Sequence, residues 1–228
     1  MVQEVGILNN VILRDEVYDY LRKNILNYQF PPGHRFDLKE LEKQLGISRT
    51  PLKVALHRLE NEGLVKIRPR RGTFVTPLDI DNVAESFDVR ILLETAVAPI
   101  VLTQATDHEL AQLSLMNERM RTMLASGDYQ EIVESYIELD QELHIQYMSY
   151  ARNKQLMRIY NRLNTHLQIA RVRRGFNRAS SDETQQEHDA ILEAIAARDV
   201  AALQQALTHH LQQSKERTLS AIRDYEGT

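Results

Sequence analysis

Cysteine is absent from the chain of 228 residues. Its absence excludes a disulfide framework, a thiolate nucleophile and a sulfur-rich metal site, and it fits a reducing compartment. The first residues, MVQEVGILNNVILRDE, contain an early acid and no sustained apolar run, so they predict neither a secretory signal nor a membrane span. We therefore expect a cytoplasmic protein with no membrane partner.

The charges are distributed unevenly along the chain. Residues 1–76 hold 13 Lys and Arg against 9 Asp and Glu, whereas residues 77–228 hold 15 against 23. A basic excess favours binding to phosphates, so a nucleic-acid surface is expected in the first part only. The length predicts two domains, which we place at residues 1–76 and 83–228 with a linker at 77–82.

The first domain has the pattern of a winged helix–turn–helix. The first helix is predicted at residues 15–27, with Asp15 as N-cap. The second begins after Asp37, which caps it in a capping box with Glu40, and the third begins after Ser48, which caps it. Gly46 allows the tight turn between the second and third helices. Residues 64–67 and 73–76 alternate like two short strands and form the wing.

Positive and polar side chains occupy two exposed places in this domain. Arg49, Thr50 and Lys53 lie on the outer side at the start of the third helix, where a helix that enters a major groove contacts bases and phosphates. Arg70 and Arg71 lie at the tip of the hairpin, from which they can reach phosphate or the minor groove. The alternative is a solvated basic loop on an ordinary three-helix domain.

The residues after the linker predict helices only. Polar helix-starting residues break the sequence near Asp107, Asp128, Asn153, Ser181 and Asp199, which divides it into six helical segments. The fold class is therefore mainly α, with a winged helix–turn–helix of three helices and a two-stranded wing followed by an all-α bundle of six helices.

Four polar residues of the bundle fall on inward stripes. Asp140 and His144 are i,i+4 neighbours on an apolar face, and His188 and His210 share their helix faces with Ile and Leu. One carboxylate and three imidazoles form a suitable ligand set for zinc, with manganese and nickel as alternatives, and leave positions open for water or an effector. The alternative is a structural role, in which the histidines lie in the core and are satisfied by hydrogen bonds.

Arg90 also lies on an inward stripe, in the first helix of the bundle. Its guanidinium could bind an effector carboxylate in bidentate fashion beside the metal, or it could pair with Glu94 one turn later.

The run FPPGHRFDLKELEKQLGISRTPLKVALHRLENEGLVKIRPRRGTFV resembles the N-terminal domain of GntR-type bacterial transcriptional regulators. The helical remainder resembles the FCD ligand-binding domain of the FadR-like branch, in which an Asp-x-x-x-His pair is followed by two later histidines. The resemblance supports the metal set and adds Lys39 to the residues expected at DNA. It also implies a homodimer on a palindromic double-stranded operator.

These features predict a metabolite-responsive regulator, a repressor that binds a small organic acid, and not an enzyme. One alternative is a metal-dependent hydrolase or lyase fused to a DNA-binding domain, since an open site of three His and one Asp could activate water. No general base or nucleophile accompanies the ligands at a recognisable spacing. Another alternative is a structural bundle whose wing contacts proteins, which would not need the positive charge of Arg49, Lys53, Arg70 and Arg71.

Overall fold

A computed structural model of the chain describes the backbone of residues 2–26, 29–77, 79–163 and 178–226. It divides into two compact units, Met1–Leu78 and Asp79–Thr228. The predicted domains 1–76 and 83–228 fall one in each unit. None of the helices in the described ranges combines the length and apolar character needed to cross a bilayer.

The first unit contains three helices and a small antiparallel sheet. The helices are α1 (Val2–Leu26), α2 (Leu38–Leu45) and α3 (Arg49–Asn61), and the strands are β1 (Arg35–Phe36), β2 (Val65–Arg68) and β3 (Gly72–Val75), in the order β1-β3-β2. The predicted winged helix–turn–helix is confirmed. The wing strands β2 and β3 pair as a hairpin, and β1 adds a third strand that the sequence did not predict.

The prediction for the start of α1 was wrong. The helix begins at Val2, so Asp15 is an interior residue and not the N-cap. Its carboxylate has a different function, because it forms an ion pair with Arg58 of α3.

Both ends of α2 lie where the sequence predicted, but one predicted contact is missing. Asp37 Oδ1 accepts hydrogen bonds from the backbone N–H groups of Lys39 and Glu40, at 3.0 and 3.2 Å. Glu40 does not complete a capping box; its side chain accepts a hydrogen bond from Gln44. Gly46 ends α2 with a φ of 63°, in the left-handed region.

Packing of α1 on α3 forms the core of the first unit. Leu21 and Ile25 of α1 and Leu52, Leu56 and Leu59 of α3 are almost completely buried. With these leucines turned inward, the opposite side of α3 is free to face a ligand.

The second unit is a bundle of helices. Its members in the described ranges are α4 (Ile80–Gln104), α5 (Asp107–Ser126), α6 (Tyr129–Ser149), α7 (154–163), α8 (Arg178–Ala196) and α9 (Val200–Glu226). Asp79 caps α4 and Thr106 caps α5 in a capping box with Glu109. The predicted linker is thus shorter than expected, because Ile80–Asn82 already form the first turn of α4. Helix α9 packs against α4 and α8, while α5 packs against α6 and α8.

Candidate functional site

The structure brings the four predicted metal ligands together in the bundle core. Asp140 and His144 project from α6, His188 from α8 and His210 from α9. Each side chain is at most 1% exposed. One potential ligand atom from each residue lies within 4.8 Å of the others. Their burial at one place requires a compensating interaction, because uncompensated polar groups are costly in an apolar core.

The imidazole rings direct their Nε2 atoms toward a common centre. His144 Nε2 and His210 Nε2 are 3.0 Å apart, and His188 Nε2 is 3.3 Å from Asp140 Oδ1. Two ligand atoms at about 2.1 Å from one cation are roughly 3.0 Å apart at the right angle of an octahedral site and roughly 3.4 Å apart at a tetrahedral angle. The spacing of His144 and His210 is therefore that of neighbouring ligands of a metal ion.

Two carboxylates fix the tautomers of two of these rings. His144 Nδ1 is 2.7 Å from Glu94 Oε2, and His210 Nδ1 is 2.8 Å from Glu187 Oε2. An ionised carboxylate only accepts hydrogen bonds, so each Nδ1 carries the proton. When both rings are neutral, their Nε2 lone pairs face each other, an arrangement that a cation bound between them would stabilise.

His188 differs from the other two histidines. Neither of its ring nitrogens has a hydrogen-bond partner in the part of the chain that the structure describes, although the ring is 1% exposed. A metal ion bound to Nε2 would compensate for the buried position of this atom. The residues present therefore fit a divalent metal, since three imidazoles and one carboxylate are ligands that zinc, manganese and nickel accept.

Arg90 and Glu94 form a buried ion pair beside the cluster. Arg90 Nε and the pairing guanidinium nitrogen are each 2.8 Å from Glu94 Oε1, and the Tyr160 hydroxyl donates to the same oxygen at 2.6 Å. Of the two sequence alternatives for Arg90, the structure thus contains the ion pair with Glu94. A role of Arg90 in binding an effector stays a prediction.

The charges of this pair stabilise each other against burial. Burial alone would raise the pKa of Glu94, but Arg90 and then His144 hold this pKa well below its usual range. Burial alone would lower the pKa of Arg90, and Glu94 raises it above its ordinary value. Burial lowers the pKa of His144, although Glu94 opposes the shift, which favours the neutral imidazole that binds metals.

A second ion pair contacts the cluster through His210, and sequence reasoning missed it. The two terminal nitrogens of Arg217 are 2.7 and 2.8 Å from the two carboxylate oxygens of Glu187. A signal for Arg217 was present, since it follows His210 by two helical turns on α9. Glu187 stands four residues before Ile191 and seven before Ala194 of α8, so the sequence also placed it on the buried side of the helix, but gave no sign of its contact with His210.

The predicted DNA-binding residues all have exposed side chains. Arg49 and Thr50 form the start of α3. Arg49 Nε is 3.8 Å from Glu42 Oε1. Arg70 occupies the hairpin tip with a φ of 62°. The exposed residues that the sequence predicted at DNA are Lys39, Arg49, Thr50, Lys53, Arg70 and Arg71.

Two further arginines lie close to the wing. The guanidinium groups of Arg35 and Arg68 are 6.0 and 5.9 Å from the centre of the Phe74 ring. They extend the positive charge of the hairpin tip along the sheet.

Comparison with known families matches both parts of the chain. Residues 13–75 match the family described as bacterial regulatory proteins, gntR family, and residues 85–213 match the FCD domain.

Individual relatives extend over most of the chain. The HTH-type transcriptional regulator YdhC of Bacillus subtilis is 27% identical over 195 residues, 86% of each chain. The HTH-type transcriptional repressor RspR of Escherichia coli is 28% identical over 207 residues, 90% of this chain and 88% of its own. The solved structure of E. coli McbR/YncC superposes with a TM-score of 0.70 at 22% identity, covering 88% of this chain and 94% of its own.

Proposed function

The chain belongs to the gntR family of bacterial regulatory proteins and carries the FCD domain, and on this premise we propose that it represses transcription in response to a small organic acid. It is a transcriptional regulator of the GntR/FCD type, as its relatives are named. In the proposal it binds a palindromic operator as a cytoplasmic homodimer. A divalent metal and the effector bind in the helical unit.

The exposed positive face of the first unit carries the DNA-binding proposal. Leu52 and Leu56 bury one side of α3, so Arg49, Thr50 and Lys53 extend from the other side into solvent. A recognition helix needs this arrangement at its N-terminal end, because guanidinium and hydroxyl groups there reach base edges and phosphates. Lys39, Arg70 and Arg71 would add phosphate or minor-groove contacts.

The metal would be held by Asp140, His144, His188 and His210. The nitrogens of His188, which make no hydrogen bond to the described residues, and the facing Nε2 atoms of His144 and His210 support this assignment. When bound, the metal supplies a Lewis acid with open positions that a carboxylate can occupy. Zinc is the first candidate, with manganese and nickel as alternatives.

Arg90 is the proposed second contact of the effector carboxylate. It lies on α4, beside the cluster, and forms an ion pair with Glu94. This pair raises the pKa of Arg90, so the buried guanidinium stays positively charged. The guanidinium fork suits planar carboxylates, so an acid bound to the metal would have a cation beside it.

The homodimer follows from the geometry of operator recognition. A dimer presents two winged units to two half-sites, which supplies the affinity that one small unit lacks. The effector would change operator affinity if it bound one arrangement of the dimer more tightly than another. Repression is proposed because one named relative, RspR, is a repressor.

Substitution of Arg49 tests the DNA-binding proposal. Operator fragments are first selected from random duplexes by the wild-type protein, and affinity is then measured by fluorescence anisotropy. Arg49→Ala should weaken specific binding by about 1–3 kcal/mol, because a contact to a base edge or phosphate is lost.

The matched control is Arg119→Ala, which removes another exposed arginine but from α5 of the second unit. It should bind like the wild type. Equal affinity of Arg49→Ala and wild type would contradict the assignment of α3 as the recognition helix.

A further inference from the structure

We propose that Glu94 and Glu187 are positioning residues of the metal centre, which hold His144 and His210 in the one tautomer that can bind a metal. The proposal rests on the metal site described above and goes beyond it, because neither carboxylate is a ligand. Glu94 acts from α4 and Glu187 from α8, so each lies on a different helix from the histidine that it contacts.

The tautomer matters because the two nitrogens of a neutral imidazole are not equivalent: one carries the proton and the other has a free lone pair. A ring with its proton on Nε2 cannot ligate a metal through that atom, whereas a ring with its proton on Nδ1 can. The hydrogen bonds from His144 Nδ1 and His210 Nδ1, at 2.7 and 2.8 Å, place the proton on Nδ1 in both rings. They also restrict ring rotation, which keeps the two Nε2 atoms aimed at the centre.

Each carboxylate is itself fixed by an arginine. Arg90 contacts Glu94 Oε1, which leaves Glu94 Oε2 for His144. Arg217 contacts both oxygens of Glu187 as a fork, and Glu187 Oε2 also accepts from His210. Such paired contacts orient a carboxylate, so that one of its oxygens faces each Nδ1.

The two pairs differ in exposure, and this determines which can be tested by substitution. Arg90 and Glu94 are 2% and 0% exposed, so removal of either charge leaves the other buried without compensation. Arg217 and Glu187 are 16% and 9% exposed, and glutamine at position 187 can still accept a hydrogen bond from Arg217. Glu187→Gln is therefore the practical variant.

The chain also offers a matched control one helical turn away. Glu183 lies on the same helix, four residues before Glu187, and pairs with the same Arg217 nitrogen at 3.5 Å. It makes no hydrogen bond to a histidine of the described ranges, and it is 63% exposed. Glu183→Gln makes the same change in charge without altering the contact to His210.

The experiment measures zinc affinity of the full chain by competition with a chromophoric chelator. Glu187→Gln should bind zinc about 10–100-fold more weakly than the wild type, because the orientation and basicity of His210 are lost. Glu183→Gln should bind as the wild type does. Equal affinities for Glu187→Gln and Glu183→Gln would overturn the proposal.

A second measurement remains informative if Glu187→Gln does not fold. Long-range proton–nitrogen NMR of the metal-free, histidine-labelled wild type distinguishes rings protonated at Nδ1 from rings protonated at Nε2 alone. His144 and His210 should carry a proton on Nδ1, and in folded Glu187→Gln the Nδ1 proton of His210 should be lost while His144, which Glu94 still contacts, keeps its own. A proton on Nε2 and none on Nδ1 in either ring of the wild type would overturn the proposal. Failure of the wild type to bind zinc is a separate result, since it would overturn the metal site itself.

Discussion

The four buried polar residues of the bundle depend on one another. Asp140 and His188 approach to 3.3 Å, and His144 and His210 approach to 3.0 Å, in a core where each of them is at most 1% exposed. The interactions of each imidazole therefore depend on its neighbours, and removal of one side chain changes the interactions of the others.

Removal of two histidines tests the ligand set directly. His188→Ala together with His210→Ala should abolish stoichiometric metal binding, because Asp140 and His144 alone provide only two ligands and both come from α6. Elemental analysis of the purified protein, with circular dichroism as a check of helix content, gives the answer.

His209 provides the matched control for this prediction. It is adjacent to His210 in sequence but has an exposed side chain, so His209→Ala removes one imidazole from outside the core. The variant should keep its metal, and metal in the double variant at the level of His209→Ala would contradict the assignment.

Helical periodicity was sufficient to predict which polar residues face the core. Asp140 and His144 stand one turn apart among apolar residues, and the same pattern identifies His188 and His210. Periodicity could not predict the contact of Glu187 with His210, because this contact depends on how α8 packs against α9. The choice between the two roles of Arg90 was likewise open, since only the packed structure places Glu94 between Arg90 and His144.

The turn between α2 and α3 depends on the conformation of a single glycine. Gly46 has a φ of 63°, and a Cβ atom added to it would meet nothing within 4 Å. Substitution there therefore adds only the backbone cost of the left-handed conformation.

Gly46→Ala should lower the free energy of unfolding by about 1–2 kcal/mol, which is the cost of this conformation for a residue with a Cβ atom. Gly46→Asn should cost less, because asparagine tolerates the left-handed region. Urea unfolding of the full chain measures both variants. Equal destabilisation by alanine and asparagine would show that the backbone conformation is not the cause.

The helices and the wing were more predictable than their ends. Alternation indicated β2 and β3, but β1 has only two residues, Arg35 and Phe36, which is too short for a recognisable pattern. Asp15 resembled an N-cap because short acidic residues favour that position. Its actual contact with Arg58 is tertiary and leaves no signal in the local sequence.

The two units differ in charge and in the contacts that stabilise them. The first unit has an excess of basic residues and the second an excess of acidic residues, as the residue counts before and after position 76 indicate. The second unit has a polar cluster within its core, so part of its stability should depend on what binds there.

Thermal unfolding should therefore depend on metal in the second unit. The proposed ligands come from α6, α8 and α9, so a bound ion joins three helices and stabilises only the folded state. Zinc at a thousandfold excess over its dissociation constant should add about 4 kcal/mol to the free energy of unfolding, which raises the melting temperature by roughly 10 °C.

A small di- or tricarboxylic acid should raise the melting temperature further in the metal-loaded protein but not in the metal-free protein, because the acid completes the coordination. Differential scanning calorimetry of the wild type and of the variant with both His188 and His210 replaced by alanine separates these effects. The double variant should respond to neither ligand, and an acid-induced shift in metal-free protein would show that the effector binds without the metal.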